Sequence, residues 1–365
     1  MLFNLFGVTM DKKKNSKFNN EYEVVDAFRF FFFLVIIIFG ASFVYSLIIG
    51  IVAGGKGISV DDLNNTIPAI VIRQTLTPVS LIILFFVYNS VRKVKFRHAF
   101  SDGQKISLLP ISVAIVLAII AIFLFTPMMN LIDYLFEARG YAPDDTIPLQ
   151  AEMTSSFKYF GLGLLIYALL PAIAEEIAFR GVMQRALLTK YSGFVAIFFS
   201  TLLFVLLHGS LQQTVYQLIV GIMLGYLSCV GGSVLYSIIL HFLNNALVLV
   251  FGCFDIVAYL SKDNAVYYNI FSIIFPVCIF LLGVVLVGIL FWVLKYLRNK
   301  NFFRYETKTA MKLRKEKELA LANQKKLGLK DVWKNTSQIE KVFMLVSVIL
   351  ISVIWLINTI SEFMV

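Results

Sequence analysis

The chain has 365 residues, 59% of them hydrophobic and only 15% charged, with 35 Phe and a net charge of +10. Soluble domains are about half apolar and about a quarter charged, so this composition excludes an ordinary water-soluble enzyme and predicts an all-α polytopic membrane protein. The basic residues flank apolar blocks, which points to anionic lipid headgroups and away from nucleic acid.

The opening stretch, "MLFNLFGVTMDKKKNSK", has too short an apolar piece for a secretory signal, and that piece precedes the lysines. Residues 1–26 therefore read as a cytoplasmic tail. A spanning helix needs roughly 20 apolar residues. Blocks of that kind lie at 27–53, 68–91, 107–133, 157–189, 192–208, 212–230, 233–251, 268–297 and 341–363. Nine helices result: eight in a core over 27–297, and one appended at 341–365. The 192–208 block is short, and the 157–189 block is long and carries charges.

Lysine and arginine in short loops set the orientation. The N-terminal tail, the loop "VRKVKFRHAFSDGQK", Arg185 with Lys190, and the run 298–334 are basic. The alternate loops hold Asp61, Asp62, Glu137, Asp144, Asp145, Glu152, Asp255 and Asp263. One topology satisfies both sets: N-terminus cytoplasmic, C-terminus outside. Residues 298–340 form a basic cytoplasmic segment with scattered leucines. Over 298–334 it has twelve Lys/Arg against four Asp/Glu, and it reads as a membrane-surface helix bound to anionic lipid. Cys229, Cys253 and Cys278 have no metal-ligand spacing and read as small apolar residues.

An ionisable residue inside a span costs several kcal/mol unless paired or hydrated, so each one is a functional candidate. The middle spans hold Glu175, Glu176 and Arg180 in "LLPAIAEEIAFRG", His208 ending "FVLLH", and His241 opening "HFLNN". His98 lies in a basic loop. Glu176 and Arg180 stand four apart with the acid first, as a helical ion pair prefers. Pro171 removes an N–H and crowds the carbonyl of Tyr167, which predicts a kink beside the acids. Phe204 falls one turn before His208, and Asn245 one turn after His241; Asn244 lies near the same face. At ~1.5 Å per residue, Glu175 is about 22 Å from Lys190, His208 about 24 Å from Ser192 and His241 about 14 Å from Gly232. All three occupy one slab of a layer about 30 Å thick.

Glu-Glu-x-x-x-Arg at 175–180, Phe-x-x-x-His at 204–208 and His-x-x-x-Asn at 241–245, in that order on successive helices, resemble the three motifs of the CPBP family. That family comprises type II CAAX prenyl endopeptidases and bacteriocin-processing or self-immunity (Abi) proteins. The resemblance covers residues ~155–250 and none of the C-terminal extension. It implies an intramembrane peptide-bond hydrolase in which Glu175 activates water, His208 holds that water, and His241 and Asn245 stabilise the oxyanion. Glu176 and Arg180 would support the site. The family spacing selects Asn245 over Asn244.

Amide hydrolysis needs an activated water, a proton carrier and oxyanion donors. Two adjacent carboxylates cannot both ionise cheaply in a low dielectric; Arg180 would hold Glu176 ionised and leave Glu175 to move protons. Glu175, His208 and His241 are also a possible zinc set. A separate base would then be needed, and there is no His-Glu-x-x-His helix. The family has been described both as metalloproteases and as metal-independent glutamate proteases, and the metal-free form is favoured here. Two rivals remain. A non-proteolytic scaffold for a sensor kinase or peptide exporter would use the C-terminal extension to dock. A proton-coupled transporter would also place Glu and His in spans, but the halves lack an inverted repeat of broken helices. The Lys/Asn/Ile/Phe-leaning composition points to a bacterial plasma membrane, where peptide pheromones or bacteriocin leaders are plausible substrates.

Overall fold

The computed structural model describes residues 22–101, 106–137, 153, 156–209, 211–253, 271–299 and 337–364. Each apolar block forms a helix, as backbone groups in lipid must be satisfied within the segment. We number the nine long rods. They are α1 (Val24–Lys56), α2 (Ile67–Arg92), α3 (Leu108–Ile120, running on through Thr126–Glu137) and α4 (Phe157–Leu188). After them come α5 (Gly193–His208), α6 (Leu211–Gly231), α7 (Val234–Cys253), α8 (Phe271–Asn299) and α9 (Gln338–Met364). Short helices Val60–Asn64 and Arg97–Phe100 sit in two connections, the second containing His98. Seven rods are long and apolar enough to cross a membrane; α5 and the Lys341–Ile357 part of α9 are shorter apolar helices. The chain is an integral membrane protein of all-α architecture. An isolated β bridge joins Ser101 and Ser233.

Two apolar clusters meet at α4. One joins side chains of α1, α2, α4 and α5, with Ile351 of α9 inserted. The other joins α3, α6, α7 and α8. The catalytic candidates come from both sides of this junction: α4 and α5 from the first cluster, α7 from the second. The appended helix α9 packs on α1 and α5, with the Phe343 ring against Phe32 at 5.2 Å between centroids.

One buried ion pair was not foreseen, because the first span was placed to begin at residue 27. Asp26 is fully buried near the start of α1 and receives Arg92 Nε at 2.7 Å and Nη2 at 3.1 Å. The Tyr88 hydroxyl donates to the same carboxylate at 2.7 Å. These bonds clamp α1 to α2.

Residues 300–336 of the basic segment, and with them all but the first two positions of the proposed lipid contact at 298–334, lie outside the described residues. So do Asp144, Asp145, Glu152, Asp255 and Asp263.

Candidate active site

The course of α4 sets the site. Pro171 does not break it. The helix widens to π geometry over Leu164–Leu169, returns to α geometry at Leu170–Glu176, and widens again over Ile177–Gln184. A wide turn thus lies just before the proline, where the kink was predicted. Such a turn relieves the ring's clash with the Tyr167 carbonyl, and π turns concentrate at functional sites. Pro171 brings no N–H to that carbonyl, and Asn245 Nδ2 of α7 donates to it at 3.4 Å.

Below the proline, α4 carries Glu175, Glu176 and Arg180, all buried. Arg180 Nη1 donates to Glu176 Oε1 at 2.7 Å, so the pair predicted from its spacing forms even through the widened turn. Arg180 Nη2 donates to the Gly221 carbonyl of α6 at 3.0 Å, and its guanidinium lies over the Phe204 ring, 4.7 Å from the centroid. Gly221 and Phe204 thus engage the guanidinium, while Arg180 Nε and Glu176 Oε2 are buried without a hydrogen-bond partner among the described residues.

Ser192 caps the start of α5 by accepting from Val195 N, and Gly209, at φ 66°, ends the helix immediately after His208. His208 is therefore a helix-terminal residue, as its sequence context allowed, and it also faces the acids. Its Nδ1 is 2.9 Å from the Phe204 carbonyl. A carbonyl only accepts, so that nitrogen carries the proton and Nε2 is left to face the site. The Phe204 ring packs against the imidazole, 4.6 Å between centroids, as the four-residue spacing predicted.

His241, from α7, has Nδ1 3.1 Å from Glu176 Oε1. The Glu176–Arg180 pair thus fixes this imidazole too, and again Nε2 points inward. Both Nε2 atoms converge on one oxygen: Glu175 Oε2 lies 3.9 Å from that of His208 and 3.8 Å from that of His241. This oxygen is buried and has no hydrogen-bond partner among the described residues. Separations near 4 Å are too long for direct hydrogen bonds.

The same triad can be tested as a zinc site. Zinc bonds of about 2.0–2.1 Å in tetrahedral geometry space neighbouring donors about 3.3 Å apart, less than the 3.8 and 3.9 Å seen here. Among the described residues no group of three His, Cys, Asp or Glu is arranged to hold a metal ion. The triad as placed is thus wider than tetrahedral zinc ligation spaces its donors.

Asn244 and Asn245 separate clearly. Asn244 is buried and accepts the Tyr216 hydroxyl at 2.6 Å, whereas Asn245 is only partly buried and reaches Tyr167 on α4. Sequence reasoning missed Tyr216 and also Gln184, which lies four residues after Arg180. Gln184 Nε2 donates to the Gly225 carbonyl at 2.9 Å and its Oε1 accepts from Ser200 at 3.2 Å. The signal was present: Gly221 and Gly225 form a Gly-x-x-x-Gly pair, the spacing that lets membrane helices approach closely.

Residues 158–247 match the family model described as "Type II CAAX prenyl endopeptidase Rce1-like". The matched segment starts at α4 and ends two residues past Asn245, so it contains every residue of the constellation. This stretch is similar to the CPBP family. No curated protein and no solved structure matches the chain. The CPBP match stops before α8 and α9.

Proposed function

We propose that this chain is an intramembrane endopeptidase that hydrolyses a peptide bond of a membrane-associated protein or peptide. The observation that carries the reading is the convergence of two imidazole Nε2 atoms on the unpartnered Glu175 Oε2, at 3.8 and 3.9 Å. Groups from α4, α5 and α7 meet there in a buried setting where charge effects are strong.

In this reading a water spans Glu175 and His208. Glu175 takes its proton as the water oxygen bonds to the scissile carbonyl carbon. The resulting oxyanion receives donors from His241 and Asn245. Collapse breaks the C–N bond, and the proton on Glu175 passes to the leaving nitrogen. His241 Nδ1 is engaged by Glu176, so Nε2 can donate only when the ring is an imidazolium. No step uses a metal, in keeping with the donor spacing.

Replacing Glu175 with Gln is expected to lower cleavage by the roughly 10²–10⁴-fold typical of a lost general base, with membrane insertion intact. A Glu175→Gln protein that still supports its cellular role would favour the scaffold reading instead. The lysine and arginine distribution supports a cytoplasmic N-terminus and an external C-terminus, in a plasma membrane.

A further inference from the structure

The amides of Asn245, Asn244 and the phenol of Tyr216 form a chain across three helices. Tyr216 O–H donates to Asn244 Oδ1 at 2.6 Å, Asn244 Nδ2 donates to Asn245 Oδ1 at 3.4 Å, and Asn245 Nδ2 donates to the Tyr167 carbonyl at 3.4 Å. The direction of this chain is dictated at one end. A backbone carbonyl only accepts, so Asn245 must turn its nitrogen toward Tyr167. Its oxygen then faces Asn244, which must offer nitrogen in return, and the Asn244 oxygen is left for the Tyr216 hydroxyl. Reversing any amide would set two acceptors or two donors face to face.

We propose that Tyr216 and Asn244 are positioning residues that act through Asn245, fixing which way its amide faces so that its nitrogen bonds the Tyr167 carbonyl and keeps its second hydrogen for the oxyanion. This rests on the endopeptidase reading, in which Asn245 is that donor. Neither Tyr216 nor Asn244 needs to touch substrate. The arrangement extends the oxyanion donor beyond α7 to α6, and makes the proline-bearing turn of α4 its anchor.

The test uses the full-length protein in detergent with selectively ¹⁵N-labelled asparagine, and an internally quenched peptide ending in a farnesylated Cys-a-a-X sequence. Tyr216→Phe keeps the ring and removes only the hydroxyl, so folding is preserved. It should shift the Asn245 side-chain amide resonances, assigned by their loss in Asn245→Ala. It should lower kcat at least fivefold with KM within twofold, and have no further effect in an Asn245→Ala background. Asn244→Asp, which keeps the acceptor for Tyr216 but loses the donor to Asn245, should behave in the same way. Asn245 resonances unmoved by Tyr216→Phe would overturn the relay, whether or not the peptide is cleaved. Shifted resonances with unchanged kcat, or losses that multiply with Asn245→Ala, would overturn the positioning role. Cleavage retained by Glu175→Gln would instead reject the endopeptidase reading, with the resonance test of the relay still standing.

Discussion

His241 Nδ1 lies 3.1 Å from Glu176 Oε1, the same oxygen that receives Arg180 Nη1 at 2.7 Å. One carboxylate oxygen therefore binds the structural cation and orients the imidazole that faces Glu175. Support and chemistry are joined at a single atom.

Removing either member of that pair should destabilise the protein. Glu176→Gln leaves Arg180 buried without its counter-charge, and breaking a buried pair in this way costs about 3–5 kcal/mol. Arg180→Lys should not rescue it. A lysine cannot serve Glu176 and the Gly221 carbonyl together in a planar fork while lying over Phe204. Thermal unfolding in detergent, followed by circular dichroism, measures both variants.

Helices α5 and α6 approach through Gly221 and Gly225, leaving no room for a methyl group. A Cβ at Gly221 would fall 2.6 Å from Thr201 Cγ2, and one at Gly225 would fall 2.9 Å from Gln184 Oε1. Either alanine should cost about 1–3 kcal/mol by overpacking. A Cβ at Gly161 meets nothing within 4 Å, so Gly161→Ala serves as a neutral control in the same unfolding assay.

Pro171→Ala should move stability and activity in opposite directions. Proline inside a helix costs about 3 kcal/mol relative to alanine, part of which the wide turn over Leu164–Leu169 recovers. Alanine restores an N–H able to occupy the Tyr167 carbonyl, in competition with Asn245. The variant should melt at the same or higher temperature while cleaving more slowly. Comparing its melting temperature with its kcat checks both halves.

The water-based chemistry predicts that strong chelators leave cleavage unchanged and that the purified protein carries no stoichiometric zinc. Elemental analysis alongside an activity assay in excess chelator decides this. Stoichiometric zinc together with loss of activity on chelation would replace the scheme with a metal-dependent one.

Much of this structure was readable from residue order alone, for reasons that differ by element. The nine rods were legible because lipid forces each apolar block to satisfy its own backbone. The Glu176–Arg180 pair and the Phe204–His208 packing were legible because residues four apart share a helical face. Even the crowded Tyr167 carbonyl could be foreseen from Pro171, though not its partner Asn245. The wide turns of α4 were hidden, since they answer to neighbouring helices more than to local propensity. Asp26 was missed for a simpler reason: a charged residue at the edge of an apolar block reads as the block's end, whereas here it pairs with Arg92 on the next rod. Tyr216 was hidden because nothing in its own surroundings says which helix it will face, whereas Gln184 faces the Gly-x-x-x-Gly pair that the sequence displays.

The most direct measurement compares the peptides released in membranes of cells producing the wild-type protein with those producing Glu175→Gln at equal abundance. If Glu175 activates the attacking water, a defined set of peptides disappears in the variant and their uncleaved precursors accumulate. Identical peptide sets in the two strains would contradict that role, and with it the endopeptidase reading of the site.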